Sequence, residues 1–163
     1  MEHRFLKASY ESLVDWRAHT DLLRCNPVYW KGKGRFDCVF IDTGSRPYFA
    51  RLLFVFTYLV NLKANEDIII SNSQTEVTIP IALVQPFTEI TTLRKQDKDL
   101  RLHRLQAKPR EKAIFVPARS IIRGAYIIPE GLTEKTSLVV DVVDTDMFLR
   151  INKMYLPVNS DSE

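Results

Sequence analysis

Few side chains in this sequence have the type and spacing that chemistry requires. Nucleophilic or acid–base catalysis needs an imidazole beside a partner, and the histidines are His3, His19 and His103. None of the three stands in a catalytic motif. The single Gly-x-Gly, Gly32-Lys33-Gly34, lacks the further glycine and the following helix of a phosphate-cradling loop. Asp141, Asp144 and Asp146 are the best candidates for binding a hard cation, because carboxylates suit such ions. Two of these aspartates also bracket a turn, where Asp is favoured for hydrogen bonding its own backbone. The turn reading is preferred, so no metal, and no other cofactor, is expected. Cys25 and Cys38 form no Cys-x-x-Cys pair and read as two free thiols. The expectation is a non-enzymatic chain.

Binding chemistry has better candidates. Tyr29 and Trp30 stand beside Lys31 and Lys33, a mixture that stacks on bases or meets a cationic side chain. The competing reading packs Trp30 over a sheet. A second candidate is the basic stretch from Arg94 to Arg123, with ten Lys or Arg against three Asp or Glu. That segment carries +7 of a total of +3, which leaves −4 on the remainder. Within it, Arg94, Lys95, Arg101, Arg104, Lys108 and Arg110 are candidate phosphate contacts, giving salt-sensitive, sequence-independent binding. A solvated loop kept soluble by its charges accounts for the same composition.

These residues need elements to hold them. The run Phe49–Val60 is apolar on both period-two faces and rich in aromatic and β-branched types, as a strand buried on both sides should be. Its partner is Val77–Phe87, in which Pro80 implies a bulge or an edge position. Arg4–Tyr10, Arg35–Asp42, Ala113–Pro117, Ser120–Pro129 (bent at Gly124) and Leu138–Val143 add further short strands. A turn at Asp144–Asp146 leads to Met147–Ile151. Ser12-x-x-Asp15 has the spacing of a helix start, and the segment Val14 to Arg24 reads as a short helix stopped by Pro27. Asn61–Thr75 reads as a long loop with a small strand at Ile68–Ile70. The fold expected is mostly β: an antiparallel, barrel-like sheet with one short N-terminal helix and long loops, in one domain over residues 1–158 and a polar tail over 159–163. No segment approaches the apolar length of a membrane span, and the first residues lack a signal-peptide core.

Several blocks together resemble one family. They are Asp15-Trp-Arg17, Asp21-Leu-Leu-Arg-Cys-Asn-Pro27, Arg35-Phe-Asp-Cys-Val39, Phe49-Ala-Arg-Leu52, Ile81-Ala-Leu-Val-Gln-Pro86, Arg119-Ser-Ile-Ile-Arg-Gly-Ala125 and Val139–Arg150. In this order they resemble the C-terminal region of the Plavaka-type transposases of basidiomycete fungi, relatives of the CACTA elements, over about Ser9 to Ile151. The order of strands is also similar to a bromo-adjacent homology (BAH) domain, with Phe115-Val-Pro and Ile-Arg-Gly segments after the two long strands. The resemblance implies a nuclear, non-catalytic interaction module with chromatin or histone proteins, or DNA, as partners. The transposases' catalytic carboxylates belong to a ribonuclease-H-like core for which 163 residues leave no room, so no catalytic residue carries over. Oligomeric state is left open.

Overall fold

The computed structural model describes residues 2–62, 75–91, 95–130 and 136–155. The two long strands expected from the sequence are its axis: β6 (Tyr48–Leu62) and β7 (Thr75–Glu89) pair antiparallel from Ala50↔Pro86 to Leu62↔Thr75. A bulge between Leu52 and Phe54 puts one extra residue on β6, which bends a strand and increases its twist.

The main sheet grows from this pair. β5 (Cys38–Ile41) and then β10 (Ile121–Ala125) add on one side; β8 (Arg104–Ala107), β12 (Ser137–Val139) and β11 (Ile127–Pro129) add on the other. β10 and β11 end the two flanks yet are joined by Tyr126 alone, so the sheet curls into a nearly closed barrel. β1 (Glu2–His3) pairs with β6, and β9 (Ile114–Pro117) with β7 at Ile81–Val84. Pro80 falls one residue before the β9 pairing begins, an edge position as its missing amide requires. A smaller sheet of β2 (Phe5–Glu11), β3 (Ala18–Trp30) and β4 (Lys33–Phe36) lies outside the barrel. The expected mostly β, antiparallel, barrel-like fold is therefore present.

Each face of the central strands carries its own core. Val39, Ile41, Ala50, Leu52, Val55, Ala82, Val84 and Val116 pack against Ala8, Leu23 and Cys25 of the smaller sheet. On the opposite face, Phe40, Phe49 and Phe87 pack with Leu105, Val139 and with Met147 and Ile151 of helix α2 (Thr145–Tyr155). A short helix, α1 (Lys95–Asp99), leads into β8.

The structure corrects two expectations about elements and assigns a third stretch. The N-terminal helix over Val14–Arg24 is absent: residues 18–24 belong to β3, which pairs with β2 from Phe5↔Arg24 to Glu11↔Ala18. The Ser12 signal is locally real, since its hydroxyl accepts the Val14 amide and its carbonyl accepts the Trp16 amide at 3.0 Å. Trp16 then takes a left-handed φ of 58°, which ends the turn. Pairing and the burial of Leu23 and Cys25 on one face decide the rest, with Pro27 tolerated at an exposed place in β3. Second, Met147–Ile151, to which the sequence assigns no element, is part of α2, whose Met147, Ile151 and Met154 recur at helical spacing. Third, Ser120–Pro129 breaks at Tyr126, between β10 and β11, rather than at Gly124. Gly124 stays in β10, where an added Cβ would stand 3.0 Å from Leu23. The short strand expected at Ile68–Ile70, the tail over 159–163, and Arg94 lie outside the described residues.

The double-faced burial of β6 is testable. Leu52→Ala, at a fully buried position, is expected to cost about 2–5 kcal/mol. Leu59→Ala, on the same strand but 59% exposed, is expected to stay within about 0.5 kcal/mol. Urea denaturation of the two variants beside wild type measures the contrast.

Candidate functional site

The β3–β4 hairpin carries the first candidate. Lys31 and Gly32 both take positive φ, 47° and 75°, and Trp30 pairs with Lys33. This is a two-residue turn of the kind whose twist matches that of the flanking strands. The turn holds Tyr29 and Trp30 out in solvent, with Trp30 66% exposed. Trp30 therefore does not pack over the sheet. Cations surround these rings: Lys31 lies over Trp30 at 5.9 Å, and Arg35 and Arg24 lie over Tyr29 at 5.3 and 5.8 Å. From Arg24 to Asp37 there are four basic residues and one acidic. The acid, Asp37, is spent on structure: it accepts the Arg35 Nε at 2.9 Å and the Arg24 amide at 2.8 Å. Its own amide and carbonyl join the smaller sheet to the barrel, through Arg24 O and the Leu52 amide.

The basic stretch does not form one surface. Arg104 is withdrawn from solvent and grips both oxygens of Asp97 at 2.8 and 2.9 Å, with Glu130 as a further partner. Its charge is consumed by these carboxylates, so its expected phosphate contact is corrected to a structural tie between α1 and β8. Lys95 and Arg101 are exposed at the two ends of α1, Arg101 with a φ of 51°. Lys108 is exposed, and its backbone is tied down through Pro86 O and the side chain of Gln85. Arg110 is the member that reaches the hairpin: its guanidinium lies 5.7 Å over the ring of Phe36 in β4. Lys31, Lys33, Arg35, Arg24 and Arg110 thus gather around one hairpin, while Lys95 and Arg101 stand apart with α1.

Two of the three aspartates, Asp144 and Asp146, prove to be part of a structural charge cluster. Arg123, on β10 and almost fully buried, donates to Asp146 at 2.6 Å and to Asp144 at 2.6 and 3.1 Å, and its Nε lies 3.7 Å from Asp21. Its guanidinium also lies 4.6 Å over the ring of Tyr10. Asp144 caps α2, accepting the Met147 amide at 3.0 Å, and its own amide bonds to Asp141 O. Asp146 further accepts Arg150 at 2.7 Å and the Leu13 amide at 2.6 Å. Sequence reading weighed these aspartates but missed Arg123, whose partners are set only by where β10 meets the start of α2. Among the described residues, no group of three or more His, Cys, Asp or Glu residues is placed to hold a metal ion.

The remaining reactive groups sit quietly. His19 is on β3, stacked on Tyr10 and 3.3 Å from Asp15. His3 hydrogen-bonds Thr57 at 2.7 Å, and His103 stacks on Tyr155 at 5.2 Å. Both cysteines are free; burial pushes the Cys25 thiol up to about 11 and raises that of Cys38. No helix is long and apolar enough to cross a membrane among the described residues. No family model, curated protein or solved structure matches this chain.

The Arg123 cluster gives a stability prediction with a pH signature. Arg123→Met leaves Asp146 and Asp144 without their buried cation and is expected to cost about 3–5 kcal/mol in urea denaturation near neutral pH. Asp146 is held below its ordinary 3.8: burial pushes it up, and hydrogen bonds from Arg150, Leu13 and Arg123 outweigh that push. Its contribution is therefore fully present above the unfolded value and is lost as pH falls through the lower, folded one. Asp146→Asn should be less stable than wild type near neutral pH and lose less stability on acidification below about pH 4. Denaturation midpoints across a pH series measure both effects.

Proposed function

We propose that this chain is a non-catalytic interaction module of a transposase-related protein, acting in the nucleus on chromatin or on proteins of a transposon complex. The observation that carries this reading is the hairpin tip. Tyr29 and Trp30 are exposed on a tight two-residue turn, among cations, at the end of an antiparallel ladder. Two large rings projecting into water are what an interface anchor needs, because aromatic side chains bury much area at low entropic cost. The lysines beside them favour an acidic partner surface and speed encounter with it. The BAH-like order of the two long strands and the sequence blocks that resemble the transposase family support placing that partner in chromatin.

A second reading, direct DNA binding, is favoured by one arrangement: Arg110 reaches Phe36, so Lys31, Lys33 and Arg110 flank a single hairpin. Such a patch would follow phosphates through its charge and use Trp30 for stacking. Arg104 has no part in this reading, since its guanidinium is occupied by Asp97 and Glu130.

Fluorescence anisotropy against labelled nucleosomes and against free duplex DNA, each over a salt series, tests the proposal. The module reading expects nucleosomes to bind more tightly than free DNA, with a shallow salt slope. Trp30→Ala should then weaken binding by tenfold or more, as removal of an aromatic anchor does. The DNA reading expects equal binding to both, a steep salt slope between roughly 50 and 200 mM, and loss on neutralising Lys31, Lys33 and Arg110 together. Absence of binding to either would remove both partners.

A further inference from the structure

The sequence makes both faces of β6 largely apolar, but beyond the bulge the described residues leave a row of large apolar side chains on one of them partly uncovered. β7 runs without a bulge, so Val77, Ile79, Ile81 and Leu83 share the face of Gln85 and Phe87. Phe87 belongs to the core that α2 closes. Beyond the bulge at Leu52/Phe54 neither α2 nor β12 contributes to that face. There Phe54, Phe56, Tyr58 and Val60 of β6 stand beside the β7 row, and Phe115 of β9 completes it opposite Leu83. The rings touch one another, Phe54 to Phe56 at 5.9 Å and Phe56 to Phe115 edge-on at 5.9 Å. The surface is nonetheless open: Phe115 is 66% exposed, Tyr58 58% and Ile79 38%.

We propose that two copies of this chain pack face to face through this surface. Three observations select a second copy as the occupant. No acidic or basic side chain stands among the nine residues, and Glu2, paired with Phe56, is a single charge at their edge. A twofold interface sets each patch against itself, and a patch charged throughout would repel its own copy. The β3–β4 hairpin, with four cations and one acid, is such a self-repelling patch; the sheet face is not. Composition agrees, since four of the nine are aromatic and homodimer interfaces are the more apolar, charge-depleted class. Area agrees as well. The exposed part of nine side chains of this size is on the order of 500 Å², the size of the largest apolar patch on a monomer, which is often a functional surface. A surrounding polar rim brings each copy toward the roughly 800 Å² per partner of a standard interface. Pro80, with no amide to give, argues for stacking of faces rather than edge-to-edge pairing through β7.

Sedimentation equilibrium of the full chain, from low micromolar to several hundred micromolar, tests this. The expected result is a monomer–dimer equilibrium that reaches a plateau at twice the chain mass. Phe115→Asp and Tyr58→Asp, both at exposed positions, are each expected to weaken the dimer by tenfold or more. Circular dichroism spectra and melting curves like those of the wild-type monomer would show that the variants fold. A wild-type chain that stays monomeric throughout overturns the proposal and leaves the face to a different partner. So does a dimer that survives both substitutions, or a mass that climbs without a plateau.

Discussion

The structure depends on one ladder, the antiparallel pairing of β6 and β7. Both strands are 15 residues long, and the pair is loaded with packing on two faces at once. One face receives the smaller sheet through Leu23 and Cys25; the other receives α2 through Met147 and Ile151. β5 joins one side of the ladder, and β8 and β9 join the other. A strand that serves two cores cannot change register by one residue without exchanging them, so its pairing is specified twice. The bulge at Leu52/Phe54 marks where the doubly covered part ends.

Arg123 does a different job. It gathers Asp21 of β3, Asp144 and Asp146 at the start of α2, and Tyr10 of β2, around a single buried guanidinium. Asp146 and Arg150 extend the cluster to the Leu13 amide and Glu11 O. The elements so connected come from the first and last parts of the chain. Paired charges of this kind set geometry more than they add stability, because desolvation offsets most of the attraction between them. The same cluster engages the carboxylates of Asp144 and Asp146 in ion pairs with Arg123.

Function, in this reading, is carried by what the two cores leave over. The β3–β4 hairpin is held by its ladder and by Asp37, and beyond Leu23, Cys25 and Phe36 near its base it places no apolar side chain in the core. That frees Tyr29, Trp30 and the lysines for contact. The basic stretch shows the opposite outcome: Arg104 and Arg123, two of its ten cations, are consumed internally, Arg110 reaches the hairpin, and Lys95 and Arg101 stand at α1. Net charge along a segment is a poor guide to a binding surface when folding pairs the charges unequally.

Side-chain pattern alone determined the long strands, their mutual pairing and the β class, because period-two apolar runs with turn residues between them admit few other uses. It also determined that Tyr29 and Trp30 share a turn with lysines, since Lys31-Gly32 supplies the positive φ values a two-residue turn needs. The cap and spacing of α2 were present in Asp144, Met147, Ile151 and Met154, but a five-residue stretch with four apolar side chains fits a strand equally well until its neighbours are known. Tertiary structure decided what local signals could not. Ser12 began a helical turn, yet pairing with β2 drew residues 18–24 into a strand, because burying Leu23 and Cys25 outweighs a weak local preference. It decided as well that Arg104 and Arg123 would face carboxylates rather than solvent. A charge's partner depends on which distant segments meet, and a linear sequence does not state that.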